Sequence, residues 1–271
     1  MTERDRTAIM TLMTDYGKIA NEARKTVLNM VFRAQASHIG SNFSAIDILA
    51  VLFEKMDSKE DKFITSKGWV AASIYYFLAQ KGIIPKEDLE RYWKPGEEKY
   101  IGLVEPHGVF GLEFASGSMG FGLPAGVGFA LAKKMDKDSG KVHVLMSDGE
   151  MQIGTTWESI LIAKQHNLSN LTVWVDNNRL QAMGPTKDIV NIEPLDERVK
   201  SFGWAVERID GHNFEAIEKA FENTSNSSPN MIICDTIKGK GWKRAENNNL
   251  YHYKMLSEKE YKEASEELAK Q

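Results

Sequence analysis

Strand-like and helix-like segments alternate through the second half of the 271-residue chain, and this alternation limits the possible folds more than any other feature. Short apolar runs typical of buried strands are separated by longer runs with helical spacing of apolar residues. The predicted strands cover residues 141–147, 171–176, 204–209 and 231–237, and the predicted helices cover 155–166, 194–202 and 213–223. Because strands joined through helices form right-handed crossovers, the sequence predicts an α/β fold with a parallel sheet flanked by helices.

The first half of the chain is predicted to be mainly helical. Residues 15–56 show helical spacing of apolar residues, interrupted by a polar stretch at 37–44. Ser44, with Asp47 three positions later, predicts the start of the second helix, although Asp replaces the usual Glu or Gln of a capping box. Further helices are predicted at 68–81, which ends at Gly82, and at 86–93.

Length and composition favour a single globular domain over residues 1–271, with a helical N-terminal segment at about 1–60 and a helical C-terminal tail at about 255–271. The net charge of -4 gives no basic surface for nucleic acid or for an anionic membrane, so neither is expected as a partner. The chain has no apolar run of roughly 18 residues, and its N-terminus lacks the apolar region of a signal peptide. Cys234, the only cysteine, is expected to pack as a small hydrophobic residue. A cytoplasmic location fits these features.

Polar residues follow two consecutive predicted strands. Asp148-Gly149 comes directly after the first strand, and Asn178 follows the next one, 30 positions later. One strand–helix–strand unit has about this length, so we expect Asp148 and Asn178 to lie side by side at neighbouring strand ends. An isolated Asp-Gly is usually only a turn, but a carboxylate and an amide oxygen together suit Mg²⁺, which completes its coordination with phosphate and water. The pair therefore predicts a magnesium site.

The glycines of the Gly117-Ser-Met-Gly-Phe-Gly122 segment allow two interpretations. They could cradle a phosphate, or they could permit close packing of the helix that follows. Their order differs from a dinucleotide fingerprint, and they precede a helix rather than follow the first strand of a crossover. The segment alone does not decide between the two.

Several blocks of the sequence resemble the transketolase family. The run containing Asp148-Gly149, Trp157-Glu158, Asn170-Leu171, Asp176, Asn178 and Gly184-Pro185-Thr186 is similar to the thiamine-diphosphate motif, which opens with Gly-Asp-Gly and closes with Asn. Further blocks match in the same order at 24–53, 61–68, 111–120, 210–212 and 236–241, so the resemblance covers about residues 15–265. It implies the diphosphate-binding fold and a dependence on thiamine diphosphate and Mg²⁺, with Ca²⁺ or Mn²⁺ as substitutes.

The resemblance also implies individual roles. Asp148 and Asn178 would bind the metal through side chains, and Leu180 through its carbonyl oxygen. Gly117 and Met119 would line the thiazolium ring, and Gly149 would donate its N–H to the diphosphate. Two histidines are implied as catalytic: His38, which would face the substrate, and His252, which would reach the diphosphate and the reacting centre. Glu150 of the motif and Trp69, which stands where the family has a histidine contacting the diphosphate, complete the predicted cofactor-binding residues.

Four positions depart from the family pattern. Trp69 replaces that histidine, Ile153 replaces a glutamate implicated in contact between paired active sites, Phe121 replaces a polar residue beside the thiazolium, and Ser147 replaces the first glycine of Gly-Asp-Gly. An apolar Ile153 cannot relay a proton between sites. Trp69 and Phe121 predict a more apolar cleft and a less polar donor or acceptor.

The implied function is transfer of a two-carbon ketol unit from a ketose-like donor to an aldehyde acceptor. Full-length transketolases continue into a pyrimidine-binding domain and a C-terminal domain. The resemblance therefore implies a partner subunit that carries both, commonly in an α₂β₂ assembly, and an active site formed only with it. Two alternatives remain open: another thiamine-diphosphate reaction, such as decarboxylation or acyl transfer from a 2-oxo acid, and a non-catalytic cofactor-binding subunit.

Overall fold

A parallel sheet of five strands forms the centre of the protein, in the order β1-β2-β3-β5-β4. The computed structural model describes residues 14–271, so the part of the predicted N-terminal segment before Thr14 lies outside the described residues. The strands are β1 (Lys62–Thr65), β2 (Val142–Ser147), β3 (Leu171–Asn177), β4 (Ala205–Asp210) and β5 (Asn230–Asp235). The predicted parallel α/β fold is confirmed. The additional strand β1 has only four residues, too few to show a periodic pattern in the sequence.

Helices cover both faces of this sheet. They are α1 (Tyr16–Arg33), α2 (Ile39–Lys55), α3 (Ala71–Gln80), α4 (Gly122–Asp136), α5 (Gly154–Gln165), α6 (Thr186–Ile189), α7 (Leu195–Ser201), α8 (Phe214–Glu222) and α9 (Glu258–Leu268). Short 3₁₀ helices occupy Gly68–Val70, Lys86–Arg91, Asp148–Gln152 and Asn249–His252. The predicted C-terminal helix is thus present as α9.

The two faces of the sheet bury separate apolar cores because successive strand residues point in opposite directions. Leu145 and Trp174 pack with α1, α2 and α3 on one face. Val144 and Val173 pack with α4, α5 and α7 on the other. Cys234 is fully buried in the first core, as expected of a small hydrophobic residue. None of the helices within residues 14–271 is long and apolar enough to span a membrane.

The second helix begins at Ile39, so the prediction that Ser44 starts it is wrong. His38 precedes the helix in a left-handed conformation, and Ser44 lies within it, fully buried. Ser44 Oγ donates a hydrogen bond to Asp176 Oδ2 at 2.6 Å, and Asn42 Oδ1 accepts one from the Ser73 backbone N–H at 3.0 Å. Residues 37–44 looked like a loop because the polar side chains of a fully buried helix can be satisfied only by distant parts of the chain.

Buried His143 makes the fold sensitive to acid. Its Nδ1 accepts a hydrogen bond from the Trp174 indole at 3.2 Å, and its ring stacks on Phe221. Burial lowers the pKa of His143 to about 4, so between pH 6.5 and 4 the unfolded chain binds a proton that the folded chain excludes. Stability from the neutral ring is therefore present above pH 6.5 and is lost as pH falls towards 4.

We expect His143→Asn, which keeps an acceptor for Trp174, to be less stable than the wild-type chain at pH 7.5. The gap should shrink by on the order of 3 kcal/mol at pH 4. Urea unfolding of both chains across this range measures the change. A gap that stays constant with pH would show that His143 does not resist protonation.

Candidate active site

A cavity of about 260 Å³ lies at the carboxyl ends of the strands, where open α/β sheets bind ligands. It is lined by seven of the predicted site residues: Trp69, Met119, Asp148, Gly149, Asn178, Leu180 and His252. Apart from Met119, which precedes α4, these residues follow β1, β2, β3 and β5 and come together because the strands are parallel. A larger, more open groove of about 1120 Å³ near the start of α1 contains none of the predicted residues.

The three predicted metal ligands meet at this cavity. Asp148 is 2% exposed, and its Oδ2 accepts a hydrogen bond from Thr186 Oγ1 at 2.9 Å. Asn178 Oδ1 accepts from the Leu180 backbone N–H at 3.1 Å, and the Leu180 carbonyl accepts from Lys238 Nζ at 3.0 Å. Burial raises the pKa of Asp148 to about 6. The carboxylate therefore lacks a strong cationic partner in the described part of the chain.

This donor set fits a hard divalent cation. It offers a carboxylate, an amide oxygen and a main-chain carbonyl oxygen, which are the ligands Mg²⁺ accepts before phosphate and water complete its coordination. Within residues 14–271 no three His, Cys, Asp or Glu side chains converge as an all-protein cage. The wall also carries Lys67 and Lys238, both at least nine-tenths buried, which favour an anionic ligand such as a diphosphate.

A buried ion pair lies beneath the cavity, and the sequence gave no sign of it. Lys67 Nζ contacts Asp176 Oδ2 and also donates to the Ser41 carbonyl at 3.0 Å. Asp176 is fully buried and accepts further hydrogen bonds from Ser44 Oγ and Thr236 Oγ1. Burial alone would raise the pKa of Asp176, but the Lys67 ammonium and these hydroxyls hold it below its usual range. The pair connects β1 and β3 directly under Asn178.

Glu150 faces away from the cavity, which corrects its predicted role as a cofactor-binding residue. It is fully buried and accepts hydrogen bonds from the backbone N–H of Gly120 at 2.9 Å, from the backbone N–H of Ser147 at 2.7 Å, and from Ser66 Oγ. Because both carboxylate oxygens are used within the protein, Glu150 positions the Gly120 loop instead. Ser147 contacts both the cavity and this carboxylate.

The Gly117–Phe121 loop contributes Ser118 and Met119 to the cavity lining, whereas Gly117 lies outside that lining. Gly117 has a φ of 63°, and its carbonyl packs so closely on Gly68 that a Cβ there would lie 2.0 Å from the oxygen. Phe121 is 61% exposed and also lies outside the lining, so its predicted contribution to an apolar cleft is not observed. Ile153 packs against Gly120.

His38 is covered by Trp69 rather than open to the cavity, so the substrate-facing position predicted for it is not observed. Their rings stack with centroids 4.3 Å apart and planes 5° apart, and His38 is 4% exposed. His38 Nδ1 lies 2.6 Å from Ser37 Oγ, and Nε2 is buried with no partner in the described part of the chain. Burial, with nearby Lys238, lowers the pKa of His38 to about 4. Its ring is therefore neutral at physiological pH.

His252 lines the cavity, as predicted, beside His38. Their ring centroids are 4.8 Å apart, and His252 Nδ1 lies 2.7 Å from Lys238 Nζ. Burial and the Lys238 ammonium lower the pKa of His252 to about 3, so this ring is neutral as well. A neutral imidazole at the cavity wall can donate or accept a hydrogen bond without adding charge.

Comparisons with known proteins agree with this geometry. The family described as "Transketolase, thiamine diphosphate binding domain" matches residues 16–271. One of the two subunits of the apulose-4-phosphate transketolase of Phocaeicola vulgatus is 32% identical over 260 residues, which is 91% of this chain and 91% of that protein. The 6-deoxy-6-sulfo-D-fructose transketolase subunit of a Clostridium species is 34% identical over 263 residues, covering 93% of this chain and 95% of that protein.

Solved structures show the same relationship. The transketolase of Campylobacter jejuni superposes with a TM-score of 0.87 at 28% identity, covering 95% of this chain and 43% of that chain. This chain thus spans less than half of the solved transketolase and nearly the full length of the separately encoded subunits. The predicted fold class and family are confirmed. The chain belongs to the transketolase family, as a thiamine-diphosphate-binding subunit of the kind found in its two-chain members.

Proposed function

We propose that this chain, with a partner subunit in the cytoplasm, binds thiamine diphosphate and a divalent metal and transfers a two-carbon ketol unit from a ketose-like donor to an aldehyde acceptor. The observation that carries the proposal is the meeting of Asp148, Asn178 and Leu180 at one cavity that also holds two buried lysines. Mg²⁺ is the metal we expect, with Ca²⁺ or Mn²⁺ as substitutes.

The residues divide the work between holding the cofactor and contacting the substrate. Asp148, Asn178 and the Leu180 carbonyl would hold the metal, and Gly149 and Lys238 would contact the diphosphate. Met119 would lie against the thiazolium ring. Thiamine diphosphate, when bound, supplies the electron sink for carbon–carbon bond cleavage. Neutral His252 would hydrogen-bond a substrate oxygen as its charge changes.

The proposed partner carries the pyrimidine-binding and C-terminal domains and forms an α₂β₂ assembly with this chain. Support comes from relatives described as subunits and from the 43% coverage of a solved transketolase. The cavity is also open on the side of Met119, Met183 and Tyr253, which are 42%, 86% and 64% exposed. A second chain covering this side would exclude water from the reacting centre.

Binding and turnover together test the function. The chain and its partner are titrated calorimetrically with thiamine diphosphate and Mg²⁺, and the loaded complex is then supplied with ketose donors or with 2-oxo acids. We expect saturable binding that requires the partner, and aldehyde-dependent ketol transfer without CO₂ release. Release of CO₂ from a 2-oxo acid would instead identify a decarboxylating enzyme. Absence of binding with a verified partner would leave a non-catalytic subunit.

A further inference from the structure

Aromatic rings form one wall of the candidate active site. We call Trp69, Trp93 and Tyr253 the aromatic wall. Trp69 and Tyr253 line the 260 Å³ cavity. Trp93 lies behind Trp69, with ring centroids 6.2 Å apart, and is 37% exposed. Tyr253 approaches His252 edge-on, with ring centroids 4.7 Å apart. The wall therefore stands next to the histidine expected to contact the substrate.

The position of Trp69 is fixed by contacts that use up its polar atom. Its indole N–H donates to Ser118 Oγ at 2.8 Å, and one ring face stacks on His38. His38 in turn has Nδ1 next to Ser37 Oγ and Nε2 buried. Neither Trp69 nor the imidazole beneath it is left with an accessible polar atom for a hydroxyl group at this wall. The surface offered to a ligand here is the carbon face of the indole.

The position of Trp93 depends on the backbone around it. Its φ of 47° lies in the left-handed region, and its backbone N–H donates to the Tyr100 carbonyl at 2.7 Å. Gly102 leaves room for the indole, because a Cβ there would lie 2.4 Å from the Trp93 ring. The loop from Trp93 to Leu103 thus holds the second indole against the first.

A second hollow adjoins the site on the other side of Trp69. It has a volume of about 440 Å³ and is lined by Trp69, Trp93, Pro95, Ile101 and Leu103, with Lys94 and Glu97 among its neighbours. The Glu97 carboxylate is already paired with Arg91, at 2.8 Å from Oε2 to Nε. Because both cavities share Trp69, a chain of carbon atoms leaving the reacting centre on this side meets the indole face first.

We infer that Trp69 is a specificity-determining residue that selects substrates whose chain beyond the reacting carbonyl presents carbon–hydrogen surface rather than hydroxyl groups. This inference rests on the proposed ketol transfer and applies to a donor ketose or an acceptor aldehyde. Deoxygenated carbon gains by burial against the indole. A hydroxyl group at the same place loses its bonds to water without replacement, which lowers its binding relative to the deoxygenated compound.

The test uses the complex with its partner, thiamine diphosphate and Mg²⁺. Acceptor aldehydes of equal chain length are compared with and without a hydroxyl next to the aldehyde carbon, and with a terminal phosphate; donor ketoses are compared in the same way. We expect kcat/KM for the deoxygenated compound to exceed that for the hydroxylated one by about tenfold, mainly through KM. The series in which the preference appears shows whether donor or acceptor meets the wall.

Three variants assign this preference to the wall. Trp69→His, which replaces the indole by a hydrogen-bonding ring, should bring the ratio close to one. Trp69→Phe keeps a carbon face and should retain most of the preference. Gly102→Ala leaves Trp69 unchanged but displaces the Trp93 ring, and should reduce the preference by a smaller factor. Circular dichroism and calorimetric binding of thiamine diphosphate check that each variant is folded and loaded.

A readout independent of turnover is tryptophan fluorescence. Titration of the deoxygenated aldehyde into the loaded complex without donor should quench a component that is absent in Trp69→Phe. A wild-type preference for the hydroxylated or phosphorylated compound, or a ratio unchanged in Trp69→His, would overturn the inference while leaving ketol transfer intact. Failure of the wild-type complex to bind thiamine diphosphate or to turn over any donor would overturn the proposed function and this inference together.

Discussion

Replacing Asp148 with alanine is expected to abolish binding of thiamine diphosphate with Mg²⁺. Asp148 supplies the only carboxylate among the three proposed ligands, the other two being an amide oxygen and a carbonyl oxygen. Loss of groups that merely orient metal ligands commonly weakens metal binding 10- to 100-fold, so loss of a charged ligand should weaken it by more than about 100-fold. Calorimetric titration of the chain with its partner measures the change.

Two further variants separate metal binding from general damage to the loop. Asp148→Asn keeps an oxygen that can accept from Thr186 but removes the charge, so it should fold normally and still bind weakly. Asp188→Ala removes an exposed carboxylate two residues after Thr186 and should bind like the wild-type chain. If Asp148→Ala bound cofactor and metal with unchanged affinity, the site would have to lie elsewhere.

Removing the buried carboxylate of Asp176 should have the largest effect on folding. Asp176→Ala leaves the Lys67 ammonium, in a side chain only 8% exposed, without its counter-charge. Breaking a buried ion pair by deleting one partner typically costs about 3–5 kcal/mol, because the remaining charge stays desolvated. It also removes the acceptor of the Ser44 and Thr236 hydroxyls. We expect a loss of about this size in the free energy of unfolding, measured with urea.

The double variant Lys67→Met with Asp176→Leu tests the cause. Replacement of both charges by apolar groups of similar size is often neutral or stabilising, so the double variant should be more stable than Asp176→Ala. Equal destabilisation of the two would point to lost packing around β3 rather than to an unpaired lysine.

The sequence predicted the sheet and the pair Asp148–Asn178 because both depend on local pattern and on the length of one crossover. The order of the strands was beyond its reach. β5 lies between β3 and β4, and the short β1 joins the opposite edge, next to β2. This order brings Lys67, after β1, and Thr236, after β5, to Asp176 on β3. Both residues stood in recognised blocks, but spacing along the chain does not show which strands are neighbours.

Side-chain direction was the second limit. Glu150 and Asp148 are two positions apart in one motif, yet only Asp148 faces the cavity, because the intervening 3₁₀ turn directs Glu150 towards Ser66 and Gly120. The covering of His38 by Trp69 likewise depends on how the turn after β1 meets the start of α2. The substitution at position 69 was visible in the sequence, but the contact it makes was not.

The origin of the site residues in separate loops has a consequence for how such subunits diverge. Trp69 belongs to the turn after β1, and Trp93 to the loop that follows α3, whereas Asp148 and Asn178 follow β2 and β3. Mutations in the first two segments can therefore reshape the surface that meets the variable part of a sugar while the metal ligands stay fixed. Duplicated genes for this subunit can acquire new substrates without rebuilding the chemistry they inherit.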